Sequence, residues 1–119
     1  MKTFKQFLEN EEQIISSDEL VEIVKILHLN HEDFEQGDLE DRIRKHDFYK
    51  LVDADASRIK EYMWHSDDDI VSDYQKRLKE EPNYPPIILD RHNTIIDGTH
   101  RARALKSLGY KTIKAWVPT

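Results

Sequence analysis

Three of the chain's four prolines fall between residues 82 and 86, and they divide what can be helical from what cannot. Proline removes a backbone donor and pushes its predecessor away from the α region, so a helix arriving at Pro82 ends there and none starts before Pro86. Ile87-Ile88-Leu89 follows at once, then Arg91-His92-Asn93, then Thr94-Ile95-Ile96. Two apolar triplets parted by a polar turn predict a short buried strand and its return. Asp97-Gly98 predicts a tight turn into a helix over about 99–108, and Gly109 stands where a helix-ending glycine belongs. Ala102, Leu105 and Leu108 should face the core, with Arg103 and Lys106 toward solvent. The final segment, Lys111 to Val117, alternates. It predicts a strand with Ile113, Ala115 and Val117 inward and Trp116 on the exposed parity.

Upstream, Thr3 and Gln6 have capping-box spacing ahead of Phe4, Phe7 and Leu8. Ser16 and Glu19 repeat that spacing before Leu20, Ile23, Val24 and Leu27, predicting an amphipathic helix over about 17–28. Asn30 to Gly37 reads as a break, with Phe34 as an anchor. Leu39 and Ile43 support a shorter helix to about Lys45. From Phe48 the period changes, and 48–54 reads as a strand. Asp55 and Ser57 are turn and cap residues. Asp67 to Asp69 then open a helix through about residue 80, carrying Ile70, Val71, Tyr74 and Leu78. The expectation is an α+β fold: a small mixed β-sheet with packed helices over 46–119, preceded by a helical extension over 1–45, in one domain. An extension of this kind either covers the sheet or makes a homodimer contact.

A chain of 119 residues suits one domain rather than two. It has no cysteine, which excludes disulfides and thiolate chemistry. No apolar run is long enough to cross a bilayer, and the N-terminus lacks a signal-peptide layout, so a cytoplasmic address is expected. The net charge of −6 is unevenly spread. Residues 82–119 carry six basic and two acidic side chains, leaving −10 on residues 1–81. An acidic front half disfavours sequence-independent DNA coating, which needs a broad basic face. A compact anion such as a nucleotide phosphate is still compatible with the basic back half.

The string Asp97-Gly98-Thr99-His100-Arg101 is the candidate site. Gly98 has no Cβ, so a ligand oxygen can approach the backbone. The helix that follows presents N–H groups and the positive end of its dipole, both favourable to phosphate. Thr99 can cap the helix or donate its hydroxyl. His100 can donate a hydrogen bond or take up charge, and Arg101 offers a planar fork for phosphate. Asp97 can hold a magnesium ion or accept a proton from a substrate hydroxyl. The plainer alternative is an ordinary turn with an ordinary cap. Arg58, Lys60, Arg91 and Arg103 are further cations that could line an anion pocket. His28, His31, His46 and His65 lack the clustering of zinc ligands, and Asp67-Asp68-Asp69 needs no metal at a helix N-terminus. Trp64 and Trp116 are candidate base-stacking residues.

The succession Pro85-Pro86-Ile87-Ile88-Leu89-Asp90, Ile95-Ile96-Asp97-Gly98-Thr99-His100-Arg101, Ala104-Leu105 and Leu108-Gly109 resembles the ParB/sulfiredoxin superfamily. The resemblance covers about 48–117 and is densest over 85–117. Sulfiredoxins place a catalytic cysteine where this chain has Thr99, so sulfinic-acid reduction is excluded. Chromosome-partition members have Gly-Glu-Arg-Arg here and a long helix-turn-helix region afterwards. Neither is present before Thr119, and DNA partition is not expected. The Asp-Gly-x-His-Arg form looks more like the branch that includes kinases acting on free serine, which implies Asp97 as base. That branch also uses an acidic residue from the preceding connection, and Glu61 and Asp67 both lie in the region.

Two readings from different classes follow. One is a nucleotide-binding enzyme: a magnesium-dependent phosphotransferase, with a small-molecule phosphoryl acceptor, or an NTPase. It would hold ATP, ADP or CTP at Gly98, Thr99, His100 and Arg101, with Asp97 and His100 catalytic and Asp97 on the metal. The other is a binding or interaction module that keeps the anion pocket without turnover. A ParB-like nuclease is the least favoured reading. Residues 1–10 faintly resemble the starts of tailed-phage proteins, which points to a phage-encoded chain.

Overall fold

The computed structural model describes residues 13–27, 36–61 and 68–119. Expectations for Thr3–Leu8, for the histidines at 28 and 31, and for Phe34, Trp64, His65 and Asp67 lie outside the described residues. The elements in chain order are β1 (Ile14–Ser16), α1 (Ser17–Leu27), α2 (Gln36–Ile43), β2 (Phe48–Asp55), one 3₁₀ turn (Ala56–Arg58), α3 (Asp68–Glu80), β3 (Ile87–Leu89), β4 (Ile95–Asp97), α4 (Thr99–Ser107) and β5 (Thr112–Pro118). The strands form one five-stranded sheet in the order β1-β2-β5-β3-β4. β1 pairs antiparallel with β2, β3 antiparallel with β4, and β3 parallel with β5. The sheet is mixed and the class is α+β, as the sequence predicts. No helix among the described residues is long and apolar enough to cross a membrane.

The chain forms two compact units that divide between Leu51 and Val52, with Pro118 and Thr119 belonging to the first. In the first unit, Leu20, Val21 and Val24 of α1, Leu39 and Ile43 of α2, and Tyr49 of β2 are buried. The α1 start is capped as its spacing predicts: the Glu19 N–H donates to Ser16 Oγ at 3.2 Å, satisfying one orphan donor of the first turn. Acidic Asp18 and Glu19 follow in that turn and Lys25 lies in the last, both in the sense the helix dipole favours. The Tyr49 hydroxyl, buried, donates to the Ile43 carbonyl at 2.7 Å, satisfying the end of α2.

The second unit is built on Ala56, Ile59, Leu78, Ile87, Leu89, Ile95, Ala102, Ala104, Leu105, Ile113 and Ala115. Asp55 nucleates its first turn by accepting from the Ser57 N–H at 3.0 Å and the Ser57 hydroxyl at 2.7 Å. Asp90 does the same between β3 and β4, accepting from the N–H groups of His92 and Thr94, while Asn93 takes the left-handed conformation the turn requires. Ala102 and Leu105 are buried as predicted, and Leu108 is half-buried against the same core.

Three expectations are corrected. Trp116 is buried, not exposed. β5 lies inside the sheet between β2 and β3, and Trp116 stands opposite Ile88, which is equally buried. Alternation predicts a wet face only where one face of a strand meets water, and this end of β5 is buried on both. Arg103 does not face solvent but pairs with Glu61. Thr99 is not a helix cap: the N-cap of α4 is Gly98, which has no side chain to offer. The pairing of Ile14–Ser16 with Phe48–Lys50 was not anticipated, since three residues carry no readable period.

Candidate functional site

The sequence Ile95-Ile96-Asp97-Gly98-Thr99 brings the end of β4 directly into α4 through one non-helical residue. Gly98 takes φ 102° and ψ 26°, the left-handed region that favours glycine. A Cβ built there would lie 2.7 Å from Ile87 Cγ2 and 3.1 Å from Arg101 Nη2. The space a Cβ would fill is therefore bounded by the first residue of β3 and by a guanidinium. Gly98 supplies no capping side chain, and its carbonyl accepts from the Ala102 N–H at 2.8 Å. The N–H groups of Thr99, His100 and Arg101 precede the first intrahelical bond, as at every helix start. Asp97, Thr99 and His100 are half-buried around this turn. Asp97 stands opposite Ile88 in the β3–β4 pairing.

Arg101 is the unexpected member. It is 6% exposed, the buried charged residue of the described chain. Its Nη2 donates to the Pro86 carbonyl at 3.1 Å, and its Nε is buried with no hydrogen-bond partner. Among the described residues no carboxylate pairs with it. Burying a cation without its counter-charge costs several kcal/mol in general terms, roughly the desolvation penalty of one ion. The guanidinium lies beside a helix start that has no side-chain cap.

The second cation of α4 is arranged differently. Arg103 Nε donates to Glu61 Oε1 at 2.6 Å and Nη2 to Oε2 at 2.5 Å, a two-point pair. The hydrogen bonds from Arg103 hold the Glu61 carboxyl below the usual glutamate range, with the charges of Arg103 and Lys106 acting in the same direction against the opposing effect of burial. Lys106 Nζ donates to the Ile59 carbonyl at 3.2 Å. Arg58 lies 3.9 Å from Asp55 and is not directed to the turn. So the structure brings Asp97, Gly98, Thr99, His100 and Arg101 together in one turn and directs Arg58 and Arg103 elsewhere. The site features that sequence reasoning missed are the Pro86 carbonyl and the Ile87 side chain. The proline pair ahead of an apolar triplet was their only local signal.

A magnesium ion demands six oxygens and is commonly held through one or two carboxylates plus substrate phosphates. Among the described residues no three of His, Asp and Glu gather at one point. A magnesium ion arriving with a nucleotide would take one oxygen from Asp97 and the others from phosphate and water. A separate open pocket of about 510 Å³ is lined by Asp53, Asp55, Ala56, Ser57, Tyr110, Lys111 and Thr112, and shares no residue with this turn.

No protein-family model and no curated protein matches the sequence. Among solved structures, the chain is similar over 58% of its length to a Pnob8-like ParB-N domain, at 30% identity and a TM-score of 0.49, and to a pNOB8-like ParB N-domain, at 28% identity and a TM-score of 0.46. It spans 29% and 27% of the length of those two chains.

Proposed function

We propose that this chain binds a nucleotide through its phosphates at the turn from β4 into α4, with ATP, ADP and CTP as the candidates. The observation that carries the reading is Arg101: a buried guanidinium with an unpartnered Nε, packed on an uncapped helix N-terminus. An anion at Gly98-Thr99-His100 would receive first-turn N–H groups, the helix dipole and the Arg101 charge together. A nucleotide ligand is in keeping with a cytoplasmic address. Magnesium would enter with the phosphates and rest on Asp97. If turnover occurs, it is transfer to a small hydroxyl acceptor or hydrolysis, with Asp97 taking the proton and His100 stabilising developing charge.

A binding module without turnover is the second reading, and one observation favours it. Glu61, an acid within reach of α4, has both oxygens committed to Arg103 and its proton affinity lowered. It is poorly suited to act as a base.

The test is amide chemical-shift mapping during titration with ATP, ADP, CTP and inorganic phosphate, each with and without magnesium. The reading expects shifts concentrated on residues 98–102 and a nucleotide affinity above that of phosphate. Shifts confined to residues 53–57 and 110–112, or none, would sink it.

A further inference from the structure

The turn at Gly98 is a single left-handed glycine, the residue type with the greatest backbone freedom, yet it sets the angle between β4 and α4. What fixes that angle is visible on both flanks of the helix. On one flank, Arg101 Nη2 reaches the Pro86 carbonyl ahead of β3. On the other runs the segment 59–61. Its backbone is bonded to the β4 side: Lys60 pairs parallel with Thr94, the Lys60 N–H donates to the Asn93 carbonyl at 2.8 Å, and the Lys60 carbonyl accepts from the Ile95 N–H at 2.8 Å. Its Glu61 side chain and Ile59 carbonyl are bonded to α4, through Arg103 and Lys106. Ile59 itself is buried in the core. Residues 101 and 103 point about 200° apart around a helix axis, so the two ties restrain α4 from opposite sides.

We infer that Glu61 is a positioning residue for the phosphate site: its two-point pair with Arg103 closes a brace from β4 through 59–61 to α4, and that brace holds the Gly98 turn in its anion-receiving geometry. The inference rests on the reading that this turn receives phosphate. Glu61 touches neither the turn nor the proposed ligand. It acts through the orientation of the helix. Its charge alone predicts the reverse effect, because losing Glu61 releases a guanidinium one turn along the helix and so attracts anions more strongly.

That opposition makes the test decisive. Three full-length variants are compared with the parent: Glu61→Gln, Arg103→Gln, and both together, the last leaving net charge unchanged. Affinity for ATP with magnesium is measured by calorimetry, the melting temperature is recorded as a check on the fold, and amide hydrogen exchange is followed without ligand at Ala102, whose N–H is bonded to the Gly98 carbonyl. The brace predicts that all three variants bind ATP about tenfold more weakly or worse, as small misplacements of a binding group commonly cost, and that exchange at the Ala102 amide quickens by about fivefold or more through local opening. Tighter binding by Glu61→Gln, or parental binding by the double variant, would show that Glu61 only neutralises charge and would overturn the inference. If the parent itself binds no nucleotide, the nucleotide reading fails. Exchange at the Ala102 amide then judges the brace alone, and unchanged exchange in the double variant overturns it.

Discussion

At Gly98 the backbone conformation and the packing make separate demands, and one substitution can be made to report both. A left-handed backbone costs an L-residue about 1–2 kcal/mol. The same position leaves no room for a methyl group, since Ile87 Cγ2 would lie 2.7 Å away and Ile87 is fully buried; overpacking of that kind adds about 1–3 kcal/mol. Gly98→Ala is therefore expected to destabilise by about 2–5 kcal/mol in urea unfolding, the sum of those two costs. Ile87→Leu removes the Cγ2 methyl and keeps the side-chain volume. Combined with Gly98→Ala it should recover the overpacking part and leave the backbone part, so the two changes are non-additive by about 1 kcal/mol or more. Strict additivity would mean that Ile87 does not set the requirement for glycine. Arg101 completes the residue-scale picture, because the same absent Cβ that spares Ile87 also admits the guanidinium 3.1 Å away.

Among the elements, the pair that ties the 59–61 segment to α4 gives a pH dependence with a definite sign. The Glu61 carboxyl is held below its ordinary range by the Arg103 hydrogen bonds, so the native state resists its protonation. The pair's stabilisation is fully present above the ordinary glutamate range and is lost as pH falls through the lowered folded value. The two side chains retain 27% and 35% exposure, so after screening its worth is about 1 kcal/mol. The stability difference between parent and Glu61→Gln should be near that value at neutral pH and shrink toward zero in acid. A difference that persists or grows below the glutamate range would refute the assignment. Asp55, likewise lowered by its Ser57 hydrogen bonds, titrates in both proteins and cancels. The elements themselves were mostly legible in the sequence, for local reasons. Proline and glycine punctuate the back half, and the apolar periods of α1, α3 and β3 are short-range patterns. What stayed hidden depends on distant partners. β1 exists because Phe48–Lys50 pairs with it, Trp116 is buried because its strand is interior, and Glu61 meets Arg103 from 42 positions away. The candidate turn was legible as Asp97 to Arg101, but the burial of Arg101 was not, since its guanidinium is tied to the Pro86 carbonyl, 15 positions away.

For the molecule as a whole, the charge is divided as the units are. Residues 1–51 carry 7 basic and 13 acidic side chains, whereas residues 52–117 carry 11 of each. The unit that holds the candidate turn is neutral overall, so attraction of an anion there is local and owes little to a general field. Such a site can bind without reacting, and Asp97→Asn separates the two outcomes. Asparagine keeps the size of aspartate, much of its hydrogen bonding and its tolerance of turns, while removing the charge that would hold magnesium or take a proton. If the chain is an enzyme, turnover in the variant should fall by about 10²–10⁴, the usual contribution of a positioned acid–base group. Nucleotide affinity without metal should hold or rise slightly, because a carboxylate beside a phosphate repels it until a cation intervenes. The measurement pairs a melting temperature, to show that the fold is kept, with single-turnover phosphate transfer or release in the presence of magnesium. Parental turnover in a folded Asp97→Asn protein would remove Asp97 from the chemistry. No turnover in the parent, alongside tight nucleotide binding at residues 98–102, would leave the binding module as the reading that stands.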